Sequence, residues 1–366
     1  MAFVPTPLPP DPPLVWDAEL QDALQAASLA VGRLSGITTL LPDPHLLLYS
    51  YVRKEAVLSS QIEGTQSSLD ELLRFENEAA PGVPVDDVVE VSNYVAAIEH
   101  GLKRLREGFP LSLRLIREIH GVLLAQGRGS RKQPGEFRSS QNWIGGTRPG
   151  NARFVPPPPD QVIECMGALE KFLHDASVPT LTRAGLAHVQ FETVHPFLDG
   201  NGRVGRLLVT LLLCHDGVMP SPMLYLSLHL KLQRAAYYDL LQRARTHGAW
   251  EEWLVFFFRG IKQTADQAAD TAIRLLQLFQ RDREKIAQLG RASGSALQLH
   301  DLLQNQPALS VPRARAVLKL SKPTVHAAFA QLEKLGLLRE ITGGARNRVF
   351  AYKDYLAILG EGTEPL

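Results

Sequence analysis

Apolar residues recur every three or four positions through most of the chain, from about residue 17 to residue 288. This spacing is typical of one buried face of an α-helix, and alternating strand-like runs are few. One such set is rich in aromatic rings and comprises Trp250, Trp253, Leu254 and Phe257. Aromatic residues at this spacing more often pack in a core than bind a cofactor. The pattern therefore predicts a mainly α-helical body with this set in its core.

The stretch from Gly135 to Pro159 has a different character. Two short apolar runs flank a turn rich in glycine and proline, which predicts a β-hairpin. An isolated hairpin is only marginally stable, so one that lies on a helical body often covers a cleft or pairs with an extended peptide. A plain surface connection is the alternative.

The C-terminal region has a third pattern, which begins after a linker predicted over residues 290–295. It predicts helices near Ala296–Asn305, Arg313–Leu318 and Lys322–Leu335, and strands at Leu337–Thr342 and Arg348–Tyr352 joined by Gly343 and Gly344. Ser321 is a favourable N-cap for the third helix, with Pro323 in its first turn. Three helices followed by a hairpin resemble a winged helix-turn-helix domain.

Length and composition are those of a globular protein with more than one folded unit. The 366 residues suggest two to three domains at about 150 residues each. The 45% of hydrophobic residues can form sizeable cores, which excludes disorder over most of the length. We divide the chain into an N-terminal helical region (1–110), a central core (111–289) and a C-terminal region (290–366). The chain has 39 basic and 38 acidic residues, so its net charge is close to zero. Any affinity for nucleic acid must therefore come from a local basic patch.

Cysteine content and hydropathy indicate a cytoplasmic protein. Cys165 and Cys214 are the only cysteines, too few for a disulfide framework or a typical structural zinc site. The first basic residue is Arg33, so a signal peptide is not expected. Apolar runs such as Leu207–Cys214 are far shorter than the roughly 20 residues that cross a bilayer, so no membrane association is expected.

The most informative segment is HPFLDGNGRVGR, residues 195–206. Helical spacing precedes it, and Pro196 disfavours helix at the residue before it, so His195 should end one helix. A second, strongly apolar helix should run from Val204 to Cys214. The glycine-rich loop therefore leads into a helix N-terminus, whose unpaired N–H groups favour a phosphate.

The side chains of this segment suit phosphoryl or nucleotidyl transfer. Arg203 and Arg206 are three positions apart, so both guanidinium groups should reach one anion. Asp199 is a hard oxygen ligand suited to Mg²⁺, and Asn201 can hydrogen-bond a phosphoryl oxygen without adding charge. An unperturbed histidine has a pKa of about 6.5, which suits His195 to accept a proton from a hydroxyl group.

Two other chemistries fit the sequence less well. His188, Glu192 and His195 could share one helical face and hold a metal, but the HExxH spacing is absent and His195 lies at a helix end. The pattern GxxxxGK[ST] is also absent, which argues against a P-loop nucleotidase.

The segment resembles the signature of the Fic family, HPFx[DE]GN[GK]RxxR, at every fixed position. The resemblance implies a protein adenylyltransferase that binds ATP and Mg²⁺ and moves AMP to a Ser, Thr or Tyr hydroxyl of a protein target or of itself. It implies a Fic-type helical core in which GEFR, from Gly135, begins a flap hairpin. In this family His195 would be the general base and Asp199 the Mg²⁺ ligand. The implied ATP-binding residues are Gly200, Asn201, Gly202, Arg203, Val204, Gly205, Arg206, Tyr237 and Tyr238.

A second match lies upstream. SSQIEG, residues 59–64, resembles the family's inhibitory pattern [ST]xxxE[GN], with Glu63 as its acid. A carboxylate beside Arg206 would form a charge-assisted pair and occupy the space that the γ-phosphate needs. The alternative is that Glu63 only ends a solvated helix.

The C-terminal region offers a rival function. Residues 308–353 contain nine basic and two acidic residues in a chain whose total formal charge is +1. This asymmetry suits a DNA contact, with the helix from Lys322 in a major groove and Arg346 and Arg348 on the wing. The alternative function is a DNA-binding transcriptional regulator whose Fic core senses a nucleotide. Winged helices also serve in dimerisation, so a homodimer is a further expected partner.

Overall fold

The computed structural model describes residues 2–39, 47–77, 85–290, 293–343 and 348–365. Helices dominate these residues, which confirms the predicted mainly α fold. The helices are α1 (Ala18–Thr39), α2 (Leu48–Ile62), α3 (Leu69–Glu76), α4 (Val85–Arg106), α5 (Leu113–Leu123), α6 (Val162–Leu173), α7 (Thr180–Val194), α8 (Asn201–His215), α9 (Ser227–Leu232), α10 (Arg234–His247), α11 (Trp250–Ala287), α12 (Ser293–Asn305), α13 (Val311–Leu318), α14 (Lys322–Lys334) and α15 (Lys353–Leu359). The strands are β1 (Ala308–Ser310), β2 (Leu338–Glu340) and β3 (Val349–Tyr352).

Helix α8 lies at the centre of the body, and α2, α4, α5 and α7 pack around it. Its residues 203–213 are buried without interruption. The long helix α11 packs against α1 and α7. Gly185 of α7 permits this approach, because a Cβ there would lie 2.8 Å from Leu254 Cδ2. Trp253, Leu254 and Phe257 are fully buried, so the aromatic set is core, as predicted.

The predicted hairpin is reduced to a single antiparallel bridge between Ile144 and Phe154. The Ile144 N–H donates to the Phe154 carbonyl at 2.8 Å. Residues 156–159 are all proline and lack an N–H donor, so the ladder cannot extend beyond this bridge. Trp143, next to the bridge, remains 39% exposed.

The C-terminal region folds as a three-stranded antiparallel sheet, in the order β1-β3-β2, packed with helices. The three predicted helices are confirmed to within three residues at each end, and the Ser321 hydroxyl accepts from the Thr324 N–H as the N-cap of α14. Strand β1 and helix α15 were not predicted, because elements of three and seven residues carry too little periodicity.

Two predictions for this region fall partly on residues outside the described ranges. The predicted linker over 290–295 was too long, because α12 begins at Ser293; residues 291–292 are not among those described. Gly344 and Arg346, at the tip of the predicted wing, also lie outside the described residues, so the winged helix-turn-helix stays a prediction. Across the described parts of the chain, no helix combines the length and apolar character needed to span a bilayer.

Candidate active site

The segment from His195 to Arg206 forms a tight turn between two buried helices. Helix α7 ends at Val194, and His195 follows in the left-handed conformation with φ 48°. Pro196 lacks an N–H and restricts the residue before it, so α7 cannot continue. Gly200 precedes α8 with φ 76°, a conformation that favours glycine. The N-terminal N–H groups of α8 therefore border the turn, where they suit an anion.

Three side chains hold the shape of this turn. The Asn201 amide accepts from the Phe197 N–H at 2.9 Å and donates to the Phe197 carbonyl at 2.8 Å. Arg138, the arginine of GEFR, is 2% exposed and donates from Nε to the His195 carbonyl at 2.9 Å. Asn142 donates to the Phe197 carbonyl at 3.0 Å. The Asn201 side chain, which was expected to contact a phosphoryl oxygen, thus closes the loop onto its own backbone.

His120 of α5 joins the turn to the start of the flap. Its ring stacks on Phe197 with centroids 3.7 Å apart. Nδ1 accepts from the Gly135 N–H at 2.8 Å, so Nε2 carries the proton and donates to the Asp199 carbonyl at 3.1 Å. Burial lowers the pKa of His120 to about 4, so the ring is neutral near pH 7. His120 therefore holds the backbone of Asp199 in place through the Asp199 carbonyl.

The His195 ring has one nitrogen turned into the protein. Nδ1 is buried, with Glu192 Oε2 3.9 Å away, while about a fifth of the side chain remains exposed. Nε2 is thus the nitrogen that a substrate can approach. Burial, and after it the charge of Arg245, lowers the pKa of His195 to about 3. The imidazole is therefore neutral near pH 7 and can accept a proton.

Glu63, the residue after α2, lies in the mouth of the turn. Its Oε1 accepts from Arg206 Nη2 at 2.7 Å. The same guanidinium donates to Ser59, from Nε to Oγ at 2.8 Å and from Nη2 to the carbonyl at 2.9 Å. Burial acts to raise the pKa of Glu63, but the charge and the hydrogen bond of Arg206, together with the charge of Arg203, outweigh it and leave the pKa below its ordinary value. Glu63 therefore ends a buried helix, and its carboxylate fills the space beside Arg206.

Two glycines make room for carboxylates along α8. A Cβ at Gly202 would collide with Glu63 Oε1 and would lie 3.1 Å from Arg206 Nη1. A Cβ at Gly205 would lie 2.7 Å from Glu192 Oε1. Val204, between them, is 2% exposed and belongs to the core. The first turn of α8 thus offers a cradle that a side chain at position 202 would fill.

The two arginines that were expected to share one anion are each paired with a carboxylate in this structure. Arg203 Nη1 lies 3.2 Å from Glu90 Oε2, and Arg203 Nη2 lies 3.8 Å from Asp199 Oδ1. Glu90 is 1% exposed and also pairs with Arg128 at 3.0 Å. A buried charge requires a partner, so each arginine is held by a different carboxylate: Arg203 by Glu90, and Arg206 by Glu63.

Tyr237 and Tyr238 lie on α10 in different surroundings. Tyr237 is 1% exposed, and its hydroxyl lies 2.8 Å from His188 Nε2. Tyr238 is less buried; burial, followed by the Glu63 carboxylate, raises its pKa, so it lies within electrostatic reach of the Glu63–Arg206 pair. His188 is thus engaged with a tyrosine. Among the residues that the structure describes, no group of three His, Cys, Asp or Glu side chains could hold a metal ion.

Sequence reasoning missed several residues that shape this site. They come from four helices and from the flap, and none lies in the HPFLDGNGRVGR segment; they are Glu90, His120, Arg138, Asn142, Arg245 and Glu192, the last considered above only as a possible metal ligand. Only Arg138 had a sequence signal, because it belongs to the quoted GEFR run.

Comparison with known proteins assigns most of the body to one family. Residues 21–103 match the family described as Fic/DOC family N-terminal, and residues 110–213 match the Fic/DOC family. A relative named protein adenylyltransferase Fic, from Drosophila virilis, is 32% identical over 169 residues, and its namesake from Drosophila ananassae is 31% identical over 169 residues. These matches cover 45% of this chain but only 32% and 31% of the relatives, so the chain spans about a third of their length.

Solved structures share the fold. A Fic family protein from Desulfovibrio desulfuricans G20 is 20% identical with a TM-score of 0.61, covering 93% of this chain and 98% of that chain. A Fic domain containing signaling protein from Bacteroides thetaiotaomicron VPI-5482 is 19% identical with a TM-score of 0.54, covering 68% and 96%. The two family matches together span just over half of this chain and include the whole turn from His195 to Arg206. The chain therefore belongs to the Fic/DOC family.

Proposed function

We propose that this protein is a protein adenylyltransferase that moves AMP from ATP to a Ser, Thr or Tyr hydroxyl of a protein, and that Glu63 restrains it. The names of its curated relatives support the reaction class. The observation that carries the proposal is the Glu63–Arg206 pair at 2.7 Å inside the turn. The Glu63 carboxylate occupies a space bordered by Gly202, the Arg206 guanidinium group and the N-terminus of α8. A guanidinium group and a helix N-terminus both favour a bound anion.

The reaction places His195 as the proton acceptor. The acceptor oxygen forms a bond to the α-phosphorus of ATP, the bond from that phosphorus to the bridging oxygen breaks, and pyrophosphate leaves. The hydroxyl proton passes to Nε2, the accessible nitrogen of a neutral ring. Arg206 and the unpaired N–H groups of Asn201, Gly202 and Arg203 in the first turn of α8 would hold the phosphates. Tyr238 would border the nucleotide.

Asp199 fits the Mg²⁺ that accompanies ATP. Its side chain is 36% exposed, and Oδ1 accepts from the Gly200 N–H at 2.6 Å. Gly129 lies beside Asp199 Oδ2. A Cβ at Gly129 would lie 2.8 Å from that oxygen, and glycine leaves this space open. Mg²⁺ usually binds one or two carboxylates together with substrate phosphates and water, so a single aspartate suffices. When bound, Mg²⁺ neutralises charge on the phosphates.

Binding of ATP tests the proposal before any acceptor is known. The Glu63→Gly variant should bind ATP with Mg²⁺ in calorimetry, and adding Asp199→Asn should weaken binding by roughly tenfold, equivalent to about 1.4 kcal/mol. In EDTA the Asp199→Asn effect should largely vanish. Asp160→Asn, an exposed aspartate away from the turn, is the matched control. A Glu63→Gly protein that takes up no ATP with Mg²⁺ contradicts the proposal.

A DNA-binding role is a second candidate, favoured by the C-terminal surface. The structure describes eight of the nine basic residues in the range 308–353, and all eight side chains are exposed. Two of them contact α3, however: Arg339 pairs with Asp70 at 2.8 Å, and Arg313 donates to the Glu76 carbonyl at 3.4 Å. The six left to face a duplex are Arg315, Lys319, Lys322, Lys334, Arg348 and Lys353.

Salt dependence tests this role. If the six residues contact phosphates, the logarithm of affinity for a duplex should fall with the logarithm of salt concentration with a slope of about −5. Lys322→Ala should reduce the steepness of that slope by about 1. If the affinity for a duplex does not change with salt concentration, the DNA-binding role is contradicted.

A further inference from the structure

Helix α2, which carries Glu63 at its end, is buried along thirteen consecutive residues from Ser50 to Ile62. Seven of these residues are polar or charged, and the side chains of six of them bond to other parts of the protein. The identity of those partners shows what holds the helix in place.

Five polar residues of α2 and its C-cap lie on two opposite faces, whereas Arg53 pairs with Glu76 of α3. Ser59 and Glu63, four positions apart, face Arg206. Ser50, Lys54 and Gln61 are separated by four and seven positions, so they share another face about half a turn away. The first face meets the candidate active site, and the second meets the C-terminal part of the chain.

Each residue of the second face bonds to one of residues 355–363, and Gln61 Nε2 donates in addition to the Ser67 carbonyl at 3.0 Å. The Ser50 hydroxyl lies 2.8 Å from the Tyr355 hydroxyl. Lys54 Nζ, fully buried, donates to the Glu361 carbonyl at 2.9 Å. Gln61 Nε2, 2% exposed, donates to the Thr363 carbonyl at 2.8 Å. Gln61 is two residues from Glu63, so this contact is close to the end of α2 that reaches Arg206.

Helix α9 contacts the same C-terminal segment that α2 contacts. Lys231 is 3% exposed and donates to the carbonyls of Gly362, at 3.2 Å, and Glu364. Gly362 has φ 80°, and a Cβ there would lie 2.8 Å from Leu228 Cδ1. We call the space lined by Lys54, Gln61, Leu228 and Lys231 the α2–α9 groove.

The α2–α9 groove recognises backbone rather than side chains. Its three buried donors all bond to carbonyls of residues 361–364, and its narrowest point admits a glycine. Without that segment, Lys54, Gln61 and Lys231 would lose acceptors that burial makes necessary. The position of α2 therefore depends on what fills the groove.

We propose that the α2–α9 groove is a binding site for a peptide turn, filled by residues 360–364 of this chain, in which the Thr363 N–H donates to the Gly360 carbonyl at 2.9 Å, and that its occupancy keeps Glu63 at Arg206. The regulatory part rests on the proposed function. Departure of the segment leaves Lys54 without its carbonyl acceptor and leaves Gln61 with the Ser67 carbonyl alone, so α2 loosens, Glu63 leaves Arg206 and the phosphate cradle opens.

Gly362→Val tests this proposal in the full chain. Valine is strained at φ 80° and collides with Leu228, so it should expel the segment without touching the turn at His195. Hydrogen exchange of the amides of residues 51–62 should quicken about tenfold, and AMP transfer should rise about tenfold. Gly294→Val is the matched control, because Gly294 is exposed on α12 and has open space around it.

A double variant separates the groove from general loosening. In a Glu63→Gly background, Gly362→Val should change transfer by less than about twofold, because the two act on one step. Lys231→Met removes two donated hydrogen bonds without altering the segment, and it should reproduce the faster exchange of α2 if Gly362→Val fails to fold.

The outcomes are distinct. Faster exchange in residues 360–365 with unchanged exchange in α2 overturns the proposal. Faster exchange in α2 with unchanged transfer, in a protein whose Glu63→Gly variant is active, overturns its regulatory part. An inactive Glu63→Gly variant defeats the proposed function instead, while the exchange data still decide whether the segment holds α2.

Discussion

Replacing Glu63 with glycine should raise AMP transfer about thirtyfold, which corresponds to a blocked state favoured by about 2 kcal/mol. The physical reason is that the Glu63 carboxylate bonds Arg206 at 2.7 Å and lies against Gly202, so it takes both the charge and the space that the terminal phosphate requires. The rate can be followed as transfer of label from α-labelled ATP to the protein itself and to proteins of a cell extract.

Glu63→Gln is the informative companion variant. It keeps the size of the side chain and loses only the charge, so it should release transfer less completely than glycine. Equal rates for the wild type and Glu63→Gly, with ATP binding shown separately, would mean that the Glu63–Arg206 pair is structural and not inhibitory.

Removing the His195 imidazole should lower transfer by roughly 10² to 10⁴-fold in the Glu63→Gly background. His195→Ala eliminates the neutral Nε2 that accepts the proton, but leaves Arg206 and the first turn of α8 in place. ATP affinity should therefore stay within about threefold while the single-turnover rate falls, which distinguishes lost chemistry from lost binding.

The matched control for this variant is His247→Ala, at the exposed end of α10. It removes the same side chain far from the turn and should leave the rate unchanged. If His195→Ala retains most of the transfer, the proton passes elsewhere and the assignment of His195 fails.

Local signals in the sequence account for the frame of the site. The run before His195, followed by Pro196, predicted the end of α7, and the structure ends that helix at Val194. The apolar run after Gly205 predicted a buried helix, which is α8. These predictions hold because proline geometry and helical periodicity act over a few neighbouring residues.

Other parts of the site depend on distant segments. Arg203 and Arg206 are three positions apart, yet Glu90 from α4 holds one and Glu63 holds the other. The partner of a buried charge is chosen by how helices pack. The SSQIEG match indicated Glu63 for Arg206, but nothing in the sequence marks Glu90 as the partner of Arg203. The flap shows the same limit, because it pairs only at Ile144 and Phe154 and owes its attachment to Arg138.

The sequence by itself determined the mainly helical fold, the turn at residues 195–206 and the chemical character of that turn. Tertiary structure alone decided that Glu90 meets Arg203, how His120 and Arg138 brace the loop, and that residues 360–364 contact the helix of Glu63. The physical reason is the distance along the chain over which each interaction acts. Backbone conformation and hydrophobic periodicity depend on neighbouring residues, whereas the partners of buried polar groups come from distant segments that only folding brings together.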